Sequence, residues 1–268
     1  MKYIPQEIKS NVNVSAGSPL KEFGVTVLKL LGVLLAVYII LGLALDFITP
    51  RISLKLEQKI GNLLTFQLKN KKKLEGEDKL QKILDKLLVN ASLPALDYKV
   101  HITEAKEINA LAWPGGNIIV LSPLLKEVKS ENEIAMVLAH ELGHFAHRDH
   151  LRGLGRGLVL IVLSTVTLGA DSPVSRFIGN VLSNVEMQFS QKQEKSADLF
   201  AVDLLYKTYG NAAGATDFLK KIAAREKLGR FFFFFSSHPY TPDRVRAIEE
   251  RIRVKDYFVG KKTPIKFP

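Results

Sequence analysis

Between Val25 and Ile48 the chain runs almost without a polar side chain, and no other feature restricts its fold as strongly. Only Lys29 near one end and Asp46 near the other interrupt the run, and charges so placed extend along a helix to reach an interface. At about 1.5 Å per residue a helix over this segment matches the ~30 Å of a hydrocarbon core. A buried helix of a soluble domain rarely needs an apolar run of that length, so a single membrane span over 25–48 is expected, with lipid as a partner. The competing reading is a cleaved signal peptide with Gly42-Leu43-Ala44 ahead of the cut, but the stretch before the apolar run is unusually long for one. Lys9 and Lys21 precede the segment and Arg51, Lys55 and Lys59 follow it, an excess that favours a cytoplasmic side for the rest of the chain.

The length of 268 residues suffices for one fully cored domain and an appendage. The expected organisation is an N-terminal tail over 1–24, the anchor over 25–48, a connector over 49–78, a folded domain over 79–255 and a C-terminal tail over 256–268. Cysteine is absent, so a transition-metal site has only His, Asp and Glu to draw on. The net charge of +11 is spread along the chain without a nucleic-acid-binding motif, which points to an acidic membrane surface and away from nucleic acid. A second apolar run, Gly157 to Ala170, is too short to span comfortably and reads as a buried or interfacial helix.

After the anchor, Ile52 to Gln67 is rich in Leu and Ile, and the charged stretch Lys69 to Asp78 reads as solvated. Leu80, Ile83, Leu84, Leu87 and Leu88 recur at helical spacing, with Asn90 as a stop. Tyr98 to Thr103, Ile108 to Trp113 and Asn117 to Leu121 read as strands, with Pro114-Gly115-Gly116 turning between the last two; a small antiparallel sheet is expected. Ser130 and Glu133 form a capping box for a helix with Ile134, Val137, Leu138 and Leu142 on its buried stripe. A later helix is expected from about Val185 to Tyr209, stopped by Gly210, and a last one from Thr241 and Pro242 toward Arg253. The class is α+β, mainly helical.

The chemistry concentrates in His140-Glu141-Leu142-Gly143-His144, which sets two imidazoles one helical turn apart so that both can grip one ion. Four of the six histidines fall between positions 140 and 150, which a charged surface helix does not explain. A catalytic zinc takes three protein ligands and keeps a position for water, which Glu141 is placed to deprotonate. Two candidates compete for the third ligand. His150 has the spacing of a metzincin, but that pattern needs a glycine where His147 stands. Glu194, in Glu194-Lys195-Ser196-Ala197-Asp198, brings a second carboxylate one turn on, so a ligand and its outer partner share a face.

These motifs, in this order, resemble the HtpX-type and CAAX-prenyl-protease-type family of zinc metalloendopeptidases, which are gluzincins. Asn109 to Gly116 resembles the family's substrate-side strand and turn, His140 to His144 its metal helix, Glu194 to Asp198 its glutamate helix, and Ser237-His238-Pro239 with Arg244 its C-terminal motif. The likeness covers roughly Leu80 to Arg253. It implies a zincin-like metallopeptidase domain with one zinc ion held by His140, His144 and Glu194, and with Asp198 bonded to a ligand histidine. It also implies that His238 stabilises the oxyanion and that Arg244 supports the site.

A zinc ion so held would polarise the scissile carbonyl, and Glu141 is expected to take the proton from water and deliver it to the leaving amine. Were Asn117 to Leu121 an exposed edge, an extended polypeptide would add to it; Asn109, Ala110, Asn117, Ile118, Ile119 and Val120 are the candidate substrate contacts. Broad action on misfolded or membrane-associated proteins would follow. A zinc-stabilised chaperone or adaptor that binds such chains without cutting them is the alternative, and intact Glu141 argues against it. A prenyl-protein protease is disfavoured because one span cannot build an intramembrane chamber. Phe231 to Phe235 would face lipid, line a substrate groove or, most commonly for such residues, fill the core.

Overall fold

The computed structural model describes residues 18–64, 74–169, 189–225, 238 and 242–267. The apolar segment forms helix α1, Pro19–Ile48, opened by Ser18 and a proline in its first turn, and it buries none of its residues against the protein. A short 3-10 turn, Thr49–Arg51, leads into α2, Leu54–Leu64. Here the structure departs from the expected connector: Glu57 of α2 is fully buried, so this part of 49–78 is packed rather than a tether.

Helix α3, Glu77–Leu88, turns Leu80, Ile83, Leu84 and Leu87 into the core, as its spacing predicts. Three strands follow, β1 Lys99–Thr103, β2 Ala110–Trp113 and β3 Asn117–Leu121. Their order is β1-β3-β2, with β1 parallel to β3 and β2 antiparallel to it. The sheet is therefore mixed, where an antiparallel one was expected. The burial pattern supplies the reason. Asn117 to Val120 are all buried, as suits a strand paired on both sides, whereas β2 alternates buried and half-buried residues, as suits an edge.

Helix α4, Ser122–Glu127, connects the sheet to α5, Glu131–His147, the centre of the domain. The Ser130 hydroxyl caps α5 by accepting from the Glu133 amide at 3.2 Å. The Glu133 carboxylate does not complete the box; it accepts from the Lys129 amide and pairs with Lys221 at 2.7 Å. Every residue from Asn132 to Phe145 is buried, so α5 is enclosed all round where one apolar stripe was expected. Helix α6, Asp149–Leu168, carries the second apolar run and packs beside α1, with Gly155 against Leu45.

Helix α7, Gln191–Tyr209, has a full capping box from Ser190 and Gln193 and ends at Gly210. Val185 to Gln188, Thr241 and Phe231 to Phe235 lie outside the described residues. Helices α8, Asp217–Arg225, and α9, Pro242–Val254, complete the domain. The expected C-terminal tail is strapped to it: the Thr263 carbonyl accepts from the Glu131 amide at 2.8 Å, and the Thr263 amide donates to Asn132 at 2.9 Å.

Helices α5 and α7 are in close contact at Gly143, where an added Cβ would lie 2.8 Å from Ala197 Cα. The three nearest atoms are the Cα, Cβ and carbonyl oxygen of Ala197, and none of them can rotate away. Gly143→Ala is expected to destabilise the domain by about 1–3 kcal/mol through overpacking. Thermal unfolding of the detergent-solubilised variant measures this, and a wild-type melting point would show that the helices separate freely.

Candidate active site

The site lies where α5, the first turns of α7 and α9, and the segment around His238 converge. His140 and His144 project from one face of α5, and their Nε2 atoms approach to 3.2 Å. Each ring is backed by a carboxylate: His140 Nδ1 lies 2.9 Å from Asp198 Oδ1, and His144 Nδ1 lies 3.2 Å from Asp149 Oδ2. A carboxylate accepts, so each Nδ1 carries a hydrogen, and each ring directs its Nε2 into the same small space. Phe189 stacks on the His144 ring at a centroid distance of 3.8 Å and fixes its plane.

Glu194 enters this space from α7, with Oε2 3.5 Å from His140 Nε2 and Oε1 3.4 Å from His144 Nε2. His238 contributes Nδ1, 3.3 Å from His140 Nε2 and 3.1 Å from Glu194 Oε1. One ligand atom from each of these four buried residues lies within 4.8 Å of all the others. Behind them, Arg244 donates to both oxygens of Asp198, at 2.7 and 2.8 Å, and reaches Glu194 Oε2 at 2.6 Å. Glu141 is buried with Oε1 3.8 Å from His238 Nε2, and its Oε2 has no hydrogen-bond partner among the described residues.

Burial opposes the charge on Glu194, yet His238, Arg244 and His140 hold its carboxyl well below the usual range. Asp198 is lowered too, because Arg244 and His140 outweigh its burial. Burial disfavours the His140 imidazolium, but Glu194 and Asp198 overcome it and push the pKa up to about 10. His144 is raised against its burial by Asp149 and Glu194.

These residues fit a divalent ion. Tetrahedral bonds of about 2.1 Å separate ligand atoms by about 3.4 Å. Several pairs come close to this, from 3.1 Å between His238 and Glu194 Oε1 to 3.5 Å between His140 and Glu194 Oε2, and the four ligand atoms all lie within 4.8 Å of one another. Four carboxylates, Glu141, Asp149, Glu194 and Asp198, face the two guanidiniums of Arg152 and Arg244, which leaves two negative charges unmatched when the imidazoles are neutral. Imidazole nitrogen with carboxylate oxygen is a donor set that zinc accepts.

The Peptidase family M48 model matches residues 75–252. The chain belongs to the M48 peptidase family. It is 31% identical over 183 residues to metalloprotease LoiP of Escherichia coli, covering 66% of this chain and 71% of that protein. Metalloprotease YcaL of the same organism is 31% identical over 179 residues, 65% of this chain and 69% of YcaL. Mitochondrial metalloendopeptidase OMA1 of Schizosaccharomyces pombe is 28% identical over 175 residues, 64% of this chain, which spans 51% of that relative. The M48 peptidase described here is thus a metalloendopeptidase, a hydrolase of peptide bonds.

In this M48 peptidase the structure brings together His140, Glu141, His144, Glu194, Asp198, Arg244 and His238. His150 stands apart, with Nε2 2.8 Å from Glu57 and Nδ1 3.3 Å from the His144 carbonyl. His238 is oriented differently from an oxyanion donor: Nδ1 faces the donor atoms, and Nε2 lies 3.3 Å from the Ala110 carbonyl. Ala110 and the buried Asn109 therefore stand at the site's edge, at the start of β2. Asn117, Ile118, Ile119 and Val120 do not form an open edge, because β3 is hydrogen-bonded on both sides. Sequence reasoning missed Asp149, Phe189 and Gln193, whose amide donates to Asp149 at 2.7 Å. Only the polar run after His144 hinted at the first. Met136, Val137, Ala215, Phe218 and Leu219 line an apolar pocket that opens on His140 and Glu141.

Asp149→Ala is expected to weaken zinc binding about 10- to 100-fold by freeing the His144 ring, as measured by chelator competition. Zinc added at pH 7 to metal-free protein is expected to displace about one proton, since coordination needs the lone pair of a ring that carboxylates hold protonated. Calorimetry in buffers of different ionisation enthalpy counts it, and the release should shrink as pH rises toward 10.

Proposed function

We propose that this M48 peptidase is a zinc-dependent endopeptidase, anchored by one span over residues 25–48, that cuts misfolded or membrane-associated polypeptides. The observation that carries the reading is the convergence of the His140, His144 and Glu194 donor atoms beside Glu141, whose Oε2 has no hydrogen-bond partner among the described residues. His140, His144 and Glu194 would hold one zinc ion, which supplies Lewis acidity that polarises a peptide carbonyl and acidifies water. Asp198 and Asp149 hold the two rings in the tautomer that offers Nε2, and Arg244 holds both carboxylates of the α7 motif in register.

Glu141 is the general base. Its carboxylate takes the proton of the attacking water and delivers it to the leaving amine. His238 stabilises the developing oxyanion through a ring N–H, which requires its ring to withdraw from the corner where Nδ1 now sits among the donor atoms. An extended substrate adds to β2, the sheet edge that starts at Ala110, through backbone hydrogen bonds that tolerate many sequences. An apolar substrate side chain fills the pocket beside Glu141. The basic excess after residue 48 supports a catalytic domain on the cytoplasmic side, which protease accessibility of sealed vesicles tests.

Glu141→Gln is expected to retain zinc while lowering cleavage of casein by about 10²- to 10⁴-fold. A wild-type cleavage rate in that variant rejects the assigned base. Glu194→Ala is expected to lose zinc and His150→Ala to retain most of it; the reverse pattern overturns the ligand set.

A further inference from the structure

Residues 49–64 precede the stretch that carries the family likeness, which begins at residue 75, yet they reach the end of the metal helix. The fully buried Glu57 of α2 accepts from Arg148 Nη2 at 2.7 Å on one oxygen and lies 2.8 Å from His150 Nε2 through the other. Arg148 caps α5 in the left-handed conformation, φ +58°, which a residue with a Cβ adopts at a cost of about 1–2 kcal/mol. Its Nη1 donates to the carbonyls of Pro50 and Ile52, at 3.2 and 2.7 Å, so the guanidinium is held from three sides by the segment that follows α1. His150 in turn lies against the His144 carbonyl at 3.3 Å and against the Phe145 ring. The far end of α2 is fixed as well, because a Cβ on Gly61 would overlap the Pro114 carbonyl in the β2–β3 turn.

A second tie runs in parallel. Asp46, near the end of α1, pairs with Arg156 at 2.9 Å and meets Arg152 at 3.6 Å, and Arg152 also touches Asp149, the carboxylate behind His144.

We infer that α2 is part of the catalytic centre and that Glu57 is a positioning residue for His144. Glu57 locks the turn where the metal helix ends, and so sets where the last ligand of that helix points. The inference rests on the zinc reading above.

The test uses the full-length protein in detergent, with zinc affinity read by chelator competition and ligand geometry by the visible spectrum of the cobalt-substituted protein. Wild type that binds no zinc defeats the metal reading itself. Given wild-type binding, Glu57→Gln is expected to raise the zinc Kd about tenfold, the lower end for groups that orient ligands, and to shift the cobalt bands. Glu57→Asp, which keeps the charge, should recover part of the loss, and His150→Gln should move both readouts in the same direction as Glu57→Gln. A folded Glu57→Gln protein with wild-type Kd and cobalt spectrum overturns the inference. Because loss of a buried carboxylate can unfold the chain, the wild type carries an independent arm. Coupling is reciprocal, so stripping the metal must speed amide hydrogen exchange across residues 54–64, and unchanged exchange there overturns the inference equally.

Discussion

Two imidazole Nε2 atoms 3.2 Å apart, with a carboxylate beside them, hold together only while a positive charge, a proton or a metal ion, lies among them; without it their lone pairs repel. In a buried site that repulsion is weakly screened, so the arrangement survives only by being held from outside. The holding groups are the carboxylates of Asp198 and Asp149 behind the rings and the Arg244 guanidinium behind both Glu194 and Asp198. Each sets a charge of the opposite sense beside a buried polar atom, and together they leave an excess of negative charge facing the centre. The same need for positive charge, met by a ring proton in the metal-free site, suits the centre to a small divalent cation.

Such an arrangement needs helices that cannot slide. Gly143 lets α5 and α7 touch backbone to side chain, which brings Glu194 within reach of rings that belong to a different helix. Burial of α5 on all sides removes its rotational freedom, and the enclosed stretch from Asn132 to Phe145 contains the whole histidine motif. The sheet adds the remaining constraint. By placing β3 in the centre it leaves β2 at the edge, with the Ala110 carbonyl against His238, so the sheet's open edge ends at the catalytic groups.

How much of this was legible varies with the range of the interaction. His140, Glu141 and His144 follow from helical spacing, because one turn is a local quantity; the same spacing puts Glu194 and Asp198 on one face of a second helix, but only the family likeness preferred Glu194 to His150. Strand positions were legible for the same reason. Strand order was not: alternation says which face a residue takes, and the unbroken apolar run Ile118 to Val120 was the only hint that β3 belongs in the middle. Glu57 was illegible altogether. Nothing in the Leu- and Ile-rich run Ile52 to Gln67 singles out one glutamate until the fold brings Arg148 and His150, 91 and 93 residues away, onto its two oxygens. The orientation of His238 likewise depends on contacts with residues on other elements, Glu194 and Ala110 among them.

The same distant contacts bear on where the enzyme works. Arg148 ends the metal helix against the carbonyls of Pro50 and Ile52, which follow directly on the apolar helix that closes at Ile48. If that helix crosses a bilayer, the end of the metal helix is pinned within a few residues of the point where the chain leaves the lipid. A domain on a long, solvated tether would sample soluble and membrane substrates alike, whereas a domain clamped by Glu57 and by the Asp46 pairs with Arg152 and Arg156 keeps one height and one orientation above the surface. On the proposed reading, polypeptide segments emerging from the membrane would be presented at the highest effective concentration, and the short distance between anchor and metal helix would shape the choice of substrate as much as the pocket beside Glu141.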